Sequence, residues 1–523
     1  MLNTFRRASW AVLALPFLTA CATGPTGSAG RVAIDGDLRE WGHGVVTSAD
    51  GDSLYFRFSP GEEMTLQATN ETTRLVFDLD NDPSTGKQLV GPPDVGTLGV
   101  DLEVLFSPPL SEIDPEVARR VIDRRIQRGQ PASAFTGGME AFVYSGGVLT
   151  RHKHGDIGFL AGPTYAAKYF EARIDRHAPT LAGTGIDLAG SARGIVLVTG
   201  GNGEVLRYSD PMVFTMPDLA APQAVEVGLP AQPEGTIRVM SMNVLHGKPI
   251  ENPEPFARLI KAIKPDVILL QEADDMTNES LESWLSEYVG VLPSKHAWAA
   301  GVQGLEGGVG SWDAAAAPDL GVAIATPHLV TREFAEPVVI ADPETGRDRT
   351  VRAVFAQVST PRGDVLACST HLKCCGSAGS REDEIRITEV GAINRRYAEI
   401  AAALASESGE NEEARLIGGD MNLVGSRAPI DLLARGLGDH GRDLQPAPTP
   451  ALGTNAWYTW RDDSNEFGPG RLDWILIGDA KVVQSFSLDT RLIDPAVLAE
   501  CGIEPGDGAV SDHLPVVVDL KPN

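Results

Sequence analysis

The chain is 523 residues long, 42% hydrophobic, with a formal net charge of -27, enough to bury at least one large core and to fill about two or three domains. That excess of acid excludes gripping nucleic acid through a broad basic surface, because such binding is driven by Lys and Arg displacing counterions; a hydrolase that meets a few phosphates through a metal stays open. Five cysteines are too few for a disulfide scaffold, and the absence of a C-x-x-C pair removes the commonest structural zinc signature.

At the N-terminus, Arg6 and Arg7 precede an apolar run, Ala8 to Phe17, and a small-residue cleavage site, Leu18-Thr19-Ala20-Cys21. This resembles a bacterial lipoprotein signal (1–20). The resemblance implies cleavage before Cys21, an acylated thiol that anchors the protein to membrane, and, with Ala22 next, sorting to the outer membrane facing the periplasm or the cell surface. An ordinary signal peptide with an incidental cysteine is the other reading. Residues 21–30, rich in Gly, Ser, Thr and Pro, read as the lipidated tether. No later stretch approaches the ~20 apolar residues of a spanning helix.

From 31 to 215, short apolar runs such as Ser53 to Phe58 and Arg74 to Asp78 are broken by Gly, Asp, Asn and Pro, which predicts an all-β sandwich. One helix is expected between Asp114 and Arg128, with Val117, Val121, Ile122 and Ile126 at helical spacing. Its Arg119, Arg120, Arg124, Arg125 and Arg128 either dock an anionic lipid or substrate or form a solvated face with internal ion pairs. The runs Ile34-Asp35-Gly36-Asp37-Leu38-Arg39-Glu40-Trp41 and Phe77 to Gly86 resemble the DOMON-like and family-nine carbohydrate-binding sandwiches, which implies a module that binds glycans or spaces the rest from the membrane. Asp78, Asp80 and Asp82 alternate as the ligands of a structural calcium loop would, or make a polar hairpin turn.

Residues 216–235, rich in Pro, Ala and Gln, read as a linker. After it the texture changes to α/β. Arg238 to Met242 and Val267 to Leu270 are strand-like and bracket a helix marked by Phe256, Leu259, Ile260 and Ile263. A second helix is predicted over Ile385 to Leu404, with strands at Val365 to Ser369, Leu416 to Ile417, Trp474 to Ile477 and Leu514 to Val518.

Residues able to bind metal or move protons sit at the ends of these runs: Asn243, Gln271-Glu272, Thr370-His371, Gly419-Asp420-Met421-Asn422, Asp473 and Ser511-Asp512-His513. A strand end is a rigid support, so several such ends can converge on one point. Oxygen ligands without thiolates favour Mg²⁺, Mn²⁺ or Ca²⁺ over structural zinc.

The ordered set N, QE, THL, GDMN, RLDWI, SDHLPV resembles the endonuclease/exonuclease/phosphatase superfamily across 236–523. The resemblance implies a four-layer α/β sandwich with two central mixed sheets flanked by helices, and a divalent-metal phosphoesterase acting through attack of water. It makes Glu272 the primary metal carboxylate, with Asn243 and Asp512 completing or orienting the metal shell. Asp420 takes the place of the residue that positions or deprotonates water, and Asn422 that of the amide on the phosphoryl group. His513, backed by Asp473, and His371 stand for the two phosphate-contacting histidines. A partner for His371 is left open, with Asp319 one candidate, and Asp473 could instead pair with Arg471. His246 reads as a supporting or loop residue. Leu245 replaces the aspartate of the abasic-endonuclease branch, and Leu423-Val424 replace the residues that follow the G-D-x-N of the inositol-phosphatase branch.

The same resemblance brings Cys374 and Cys375 near Cys501, as a disulfide or as half-buried thiols. Trp298, Trp312, Trp457 and Trp460 line a base- or sugar-stacking rim or pack in core and loops. The leading expectation is phosphodiester hydrolysis of extracellular nucleic acid, phospholipid or phosphosugar. The alternatives are a phosphomonoesterase, or an inactive glycan-binding surface lipoprotein.

Overall fold

The computed structural model describes residues 32–523 except 43, 94, 128–131, 185–187, 189, 222–226, 291–311 and 409–413. The signal segment, Cys21, the tether, Arg128 and Trp298 lie outside the described residues. Among those described, no helix is long and apolar enough to cross a membrane.

The first half is built mainly from two antiparallel sheets. Thr47–Ala49, Ser53–Phe58, Phe170–Asp175 and Leu160–Gly162 make one; Thr72–Asp78, Leu102–Phe106, Met139–Ser145 and Gly190–Thr199 lie in the other. Alternate side chains on a strand face the same side. Leu54, Phe56 and Phe58 therefore meet Leu75, Phe77, Val104 and Phe106 in one core. The helix Pro115–Gln127 forms where the spacing predicts it, but its apolar residues do not make one inward stripe. Val121 is buried, whereas Ile122 is 42% and Ile126 70% exposed. Arg125 donates to the carbonyls of Ser133 and Phe135 at 3.1 and 2.7 Å, while Arg119, Arg120 and Arg124 are exposed.

In the second half, β1 (Ile237–Asn243), β2 (Val267–Gln271), β3 (Asp313–Ala317) and β4 (Val322–Thr326) are followed by β5 (Leu329–Glu333), β6 (Ala353–Thr360), β7 (Gly363–His371) and β8 (Ala414–Asp420). Then come β9 (Gln445–Pro446), β10 (Asp473–Gly478), β11 (Ala480–Ser487) and β12 (Val516–Pro522). One sheet has the order β3-β4-β2-β1-β12-β11 and the other β5-β6-β7-β8-β10-β9. Each is mixed, with a single parallel pair, β1 with β2 and β7 with β8. Their inner faces close over Val239, Leu269, Ile324, Val365, Leu416 and Ile475.

Helices cover both outer faces. In α1 (Pro253–Ile263) the residues Phe256, Leu259, Ile260 and Ile263 are all buried against the first sheet; Pro253 suits a first helical turn, and Pro265 blocks continuation. In α2 (Arg381–Ser408), Val390, Ile393, Tyr397, Ile400 and Leu404 pack on the second sheet. The Tyr397 hydroxyl donates to Leu366 O at 2.6 Å and accepts from Leu416 N at 3.0 Å. The order is thus helix, sheet, sheet, helix.

The two halves touch along a backbone seam. Ile34 N donates to Asn455 O (2.8 Å), Trp457 N to Ile34 O (2.9 Å), Met139 N to Glu466 O (2.8 Å) and Ala166 N to Gly425 O (2.8 Å). Lys153 Nζ adds a bond to Ser464 O at 2.7 Å.

Candidate active site

Strand register assembles the site. In the first sheet Asn243 lies directly opposite Gln271, so the next residue, Glu272, stands beside the Asn243 side chain. In the second, His371 pairs with Asp420 and Asp420 with Asp473, which sets three functional side chains in a row across β7, β8 and β10. His513 enters just before β12. The Ser511 hydroxyl donates to Asn243 O at 2.8 Å and accepts from His513 N at 3.1 Å, tying that segment to the end of β1.

The end of β8 needs its glycine. Gly419 has φ +144°, and a Cβ there would lie 1.9 Å from Thr370 O, so no side chain fits between β7 and β8 at the register that aligns His371 with Asp420. Glu272 (φ 55°) and Asn422 (φ 45°) also hold left-handed conformations, a strain of about 1–3 kcal/mol each that tends to be retained where function requires it.

The side chains form one network. Asn243 Nδ2 donates to Glu272 Oε1 at 3.1 Å and to Asp420 Oδ2 at 3.2 Å, while its Oδ1 accepts from Leu245 N at 3.0 Å. Its amide thus ties two carboxylates together, and its oxygen is turned to the backbone. Asp420 Oδ1 accepts from Asn422 N at 2.9 Å, and Asn422 Nδ2 donates to Asp420 Oδ2 (3.1 Å) and Leu372 O (3.2 Å). The Nε2 atoms of His371 and His513 stand 3.3 and 3.6 Å from Asp420 Oδ2. Asp473 Oδ2 lies 2.8 Å from His513 Nδ1.

Electrostatics separates the two histidines. Burial opposes charge on His513, but Asp473 and Asp420 outweigh it and raise its pKa to about 10, so it is an imidazolium at neutral pH. His371 is held well below its ordinary value by burial and then by the cations Arg352 and His513, so it is neutral. Burial lifts Asp420 to about 7 against the pull of His513. His371 has Asp420 and, at 3.8 Å, Glu272 Oε1 as its nearest carboxylates. Its Nδ1 is buried without a hydrogen-bond partner, and Asp319, in the turn Pro318–Leu320, is not one of its partners.

Glu272 Oε2 accepts from His246 N at 3.1 Å, and the exposed His246 ring bridges toward Asp274, which raises its pKa. Asp512 Oδ2 accepts the indole N–H of Trp460 at 2.9 Å, while its Oδ1 is buried with no partner. A buried carboxylate oxygen left without a partner fits a hard divalent cation.

The structure decides between readings that the sequence left open. Trp460 is buried and orients Asp512, and Trp312 is a core residue bonded to Gly290 O at 2.9 Å, so neither stands on a stacking rim. Trp457 packs against Arg471, whose guanidinium lies 5.1 Å from its ring and 3.5 Å from that of Trp474. Arg471 donates to Ala447 O at 2.7 Å and does not take Asp473 from His513. Cys374 and Cys375 contact each other as thiols, and Cys501 packs against the core around Leu498 and Ile503, so no disulfide joins them. The carboxylates of Asp78 and Asp80 group with that of Asp101; Asp82 donates its N–H to Asp80 Oδ1 at 3.0 Å, and its own carboxylate caps the turn by accepting from Ser84 N and Oγ at 2.8 and 2.7 Å. The hold of Trp460 on Asp512, and Arg352 altogether, were not read from the sequence, since each acts from a loop with no polar strand end to mark it.

The family model described as Endonuclease/Exonuclease/phosphatase family matches residues 240–513, more than half of the chain, from within β1 to His513. This chain belongs to that family. No curated protein matches the chain. Among solved structures, the endonuclease/exonuclease/phosphatase chain is similar to a humanized D. rerio TDP2 (14% identity, 55% of this chain, 99% of that one, TM-score 0.31). It is similar also to the human Nocturnin catalytic domain with bound sulfate (17%, 55% and 96%, TM-score 0.34), and to a Staphylococcus aureus beta toxin with bound magnesium ions (17%, 55% and 100%, TM-score 0.32). At those scores the likenesses carry no inference about activity.

Proposed function

We propose that this family member is a divalent-metal-dependent phosphoesterase that hydrolyses phosphodiesters by attack of water. One observation carries the reading: the buried Asp420 carboxylate lies 3.3 and 3.6 Å from Nε2 of His371 and His513 and is joined to Glu272 through the Asn243 amide. A general base works best with a pKa near the working pH, so Asp420 takes the proton of the attacking water. His513, charged and fixed by Asp473, donates from Nε2 to a non-bridging phosphate oxygen, where negative charge grows as water adds. His371 offers the second, neutral contact, and Asn422 fixes Asp420 through its backbone and side-chain N–H groups. Glu272 and Asp512 are the residues that would hold a cation, Mg²⁺, Mn²⁺ or Ca²⁺, with Asn243 bracing Glu272. A cation held there supplies charge neutralisation at the phosphate.

The same proposal takes the β-rich half as a separate domain (31–215) that binds glycan or acts as a spacer, joined by the linker 216–235. It takes the chain as a lipoprotein anchored at Cys21 in the outer membrane, on the strength of Leu18 to Cys21. The experiment uses residues 22–523 with Mg²⁺, Mn²⁺ or Ca²⁺ against bis-p-nitrophenyl phosphate, p-nitrophenyl phosphate, plasmid DNA, RNA and sphingomyelin. Diester turnover that stops in EDTA is the expected result. Turnover of the monoester alone replaces the diester reading with a phosphomonoesterase, and no turnover with any metal removes the enzyme reading.

A further inference from the structure

Cys374 and Cys375 follow His371 by three and four residues, and hydrolysis makes no use of them. Their sulfurs lie 2.8 Å apart, with Cys374 partly buried and Cys375 exposed. Lys373 Nζ stands 3.7 Å from Cys374 Sγ. The Cys375 thiol first, and then Lys373 and Arg352, outweigh burial and bring the Cys374 thiol down to about 5.

The backbone that carries the pair is clamped. Arg386, fully buried, donates from Nη1 to the carbonyls of Lys373 and Cys375 at 2.8 and 2.7 Å. Lys373 N donates to Glu389 Oε2 at 2.8 Å, and Arg352 Nη2 to Leu372 O at 2.9 Å. Cys375 itself takes a left-handed φ of 73°. The two sulfurs are therefore presented together and to solvent, instead of being brought together by chance motion of a loop. Two other described cysteines supply a contrast. Burial pushes the Cys368 thiol far up, and Cys501 packs against the core beside Val497.

We propose that Cys374 and Cys375 form a peroxide-reactive dithiol site. The Cys374 thiolate attacks the O–O bond of a hydroperoxide; that bond breaks, the sulfur becomes a sulfenic acid, and the departing alkoxide or hydroxide takes up the proton that Cys374 lost on ionising. The Cys375 sulfur then attacks the sulfenic sulfur, an S–S bond forms, and the hydroxyl leaves as water with the Cys375 proton. The dithiol loses two electrons and the peroxide gains them. Thiolate fraction and access favour Cys374 as the attacking group, although a low pKa also tempers its nucleophilicity.

The test treats residues 22–523, reduced and then held in EDTA, with hydrogen peroxide, and follows each cysteine by peptide mass mapping after quenching. The expected result is loss of two hydrogen atoms from the peptide carrying Cys374 and Cys375, about tenfold or more faster than any change at Cys368 or Cys501, and restored by dithiothreitol. In Cys375→Ser the reaction stops at a Cys374 sulfenic acid that dimedone traps, and in Cys374→Ser the site is silent. Oxygen added to the wild-type pair without a disulfide, no change, or reaction no faster than at Cys501 overturns the proposal. The wild-type mapping decides it even where a variant fails to fold.

Discussion

Asp473 Oδ2 and His513 Nδ1 are 2.8 Å apart, and both side chains are buried. The carboxylate fixes which ring nitrogen faces inward and keeps the ring charged, so the pair acts as one group. Removing either member, as His513→Ala or Asp473→Asn, should lower kcat by about 10² to 10⁴. The double variant should be little worse than the poorer single one. Steady-state kinetics on the diester checks this, and effects that multiply would show two independent roles.

Glu272 faces the Asn243 amide on one oxygen and the His246 backbone N–H on the other. Glu272→Gln keeps the shape but removes the charge, so the fold and Tm should change little while far more metal is needed for half-maximal rate. Titration with Mn²⁺ should recover part of the activity. A residual rate indifferent to metal would remove Glu272 from cation binding.

The Trp460 indole holds one oxygen of Asp512 and leaves the other free. Groups that orient a metal ligand from behind are typically worth about 10- to 100-fold in affinity or activity. Trp460→Phe should therefore raise the metal concentration for half-maximal rate by about that factor, with KM for the diester nearly unchanged. A shift in KM alone would place Trp460 on the substrate instead.

Asp101 sits buried with Asp78 and Asp80 close by, and burial, with those like charges adding, lifts its pKa to about 7. The folded state thus binds its proton more tightly than the unfolded chain, whose value is near 3.8. The stability it contributes is fully present below about pH 4 and lost as pH rises through about 7. In EDTA, urea unfolding of the wild type should weaken across that window, and Asp101→Asn should flatten the slope. An unchanged slope would mean that Asp101 is ionised throughout.

Much of the site was legible because it lies where apolar runs stop. Asn243, His371, Asp420 and Asp473 each end or begin a strand and Glu272 directly follows one, and chain order alone set them out. What pairing adds is not written locally. Asp101 joins Asp78 only because two strands lie side by side, and Asp82, two residues from Asp80, turns into its own loop. Trp460 looked like a surface aromatic because its partner, Asp512, is 52 residues away. The Pro115–Gln127 helix kept its period but not its stripe, since a surface connection does not need every apolar residue covered.

The seam between the halves reaches chemistry that lies beyond it. Met139, Lys153 and Thr164 grip Glu466, Ser464 and Arg471, all on the excursion between Trp460 and Asp473. That excursion begins with the tryptophan that aims Asp512 and ends with the aspartate that charges His513. A chain cut at the linker would keep every catalytic side chain and lose the scaffolding of the stretch that spaces two of them. The β-rich half therefore behaves as a splint, and grafting this hydrolase onto another carrier would mean moving the splint with it.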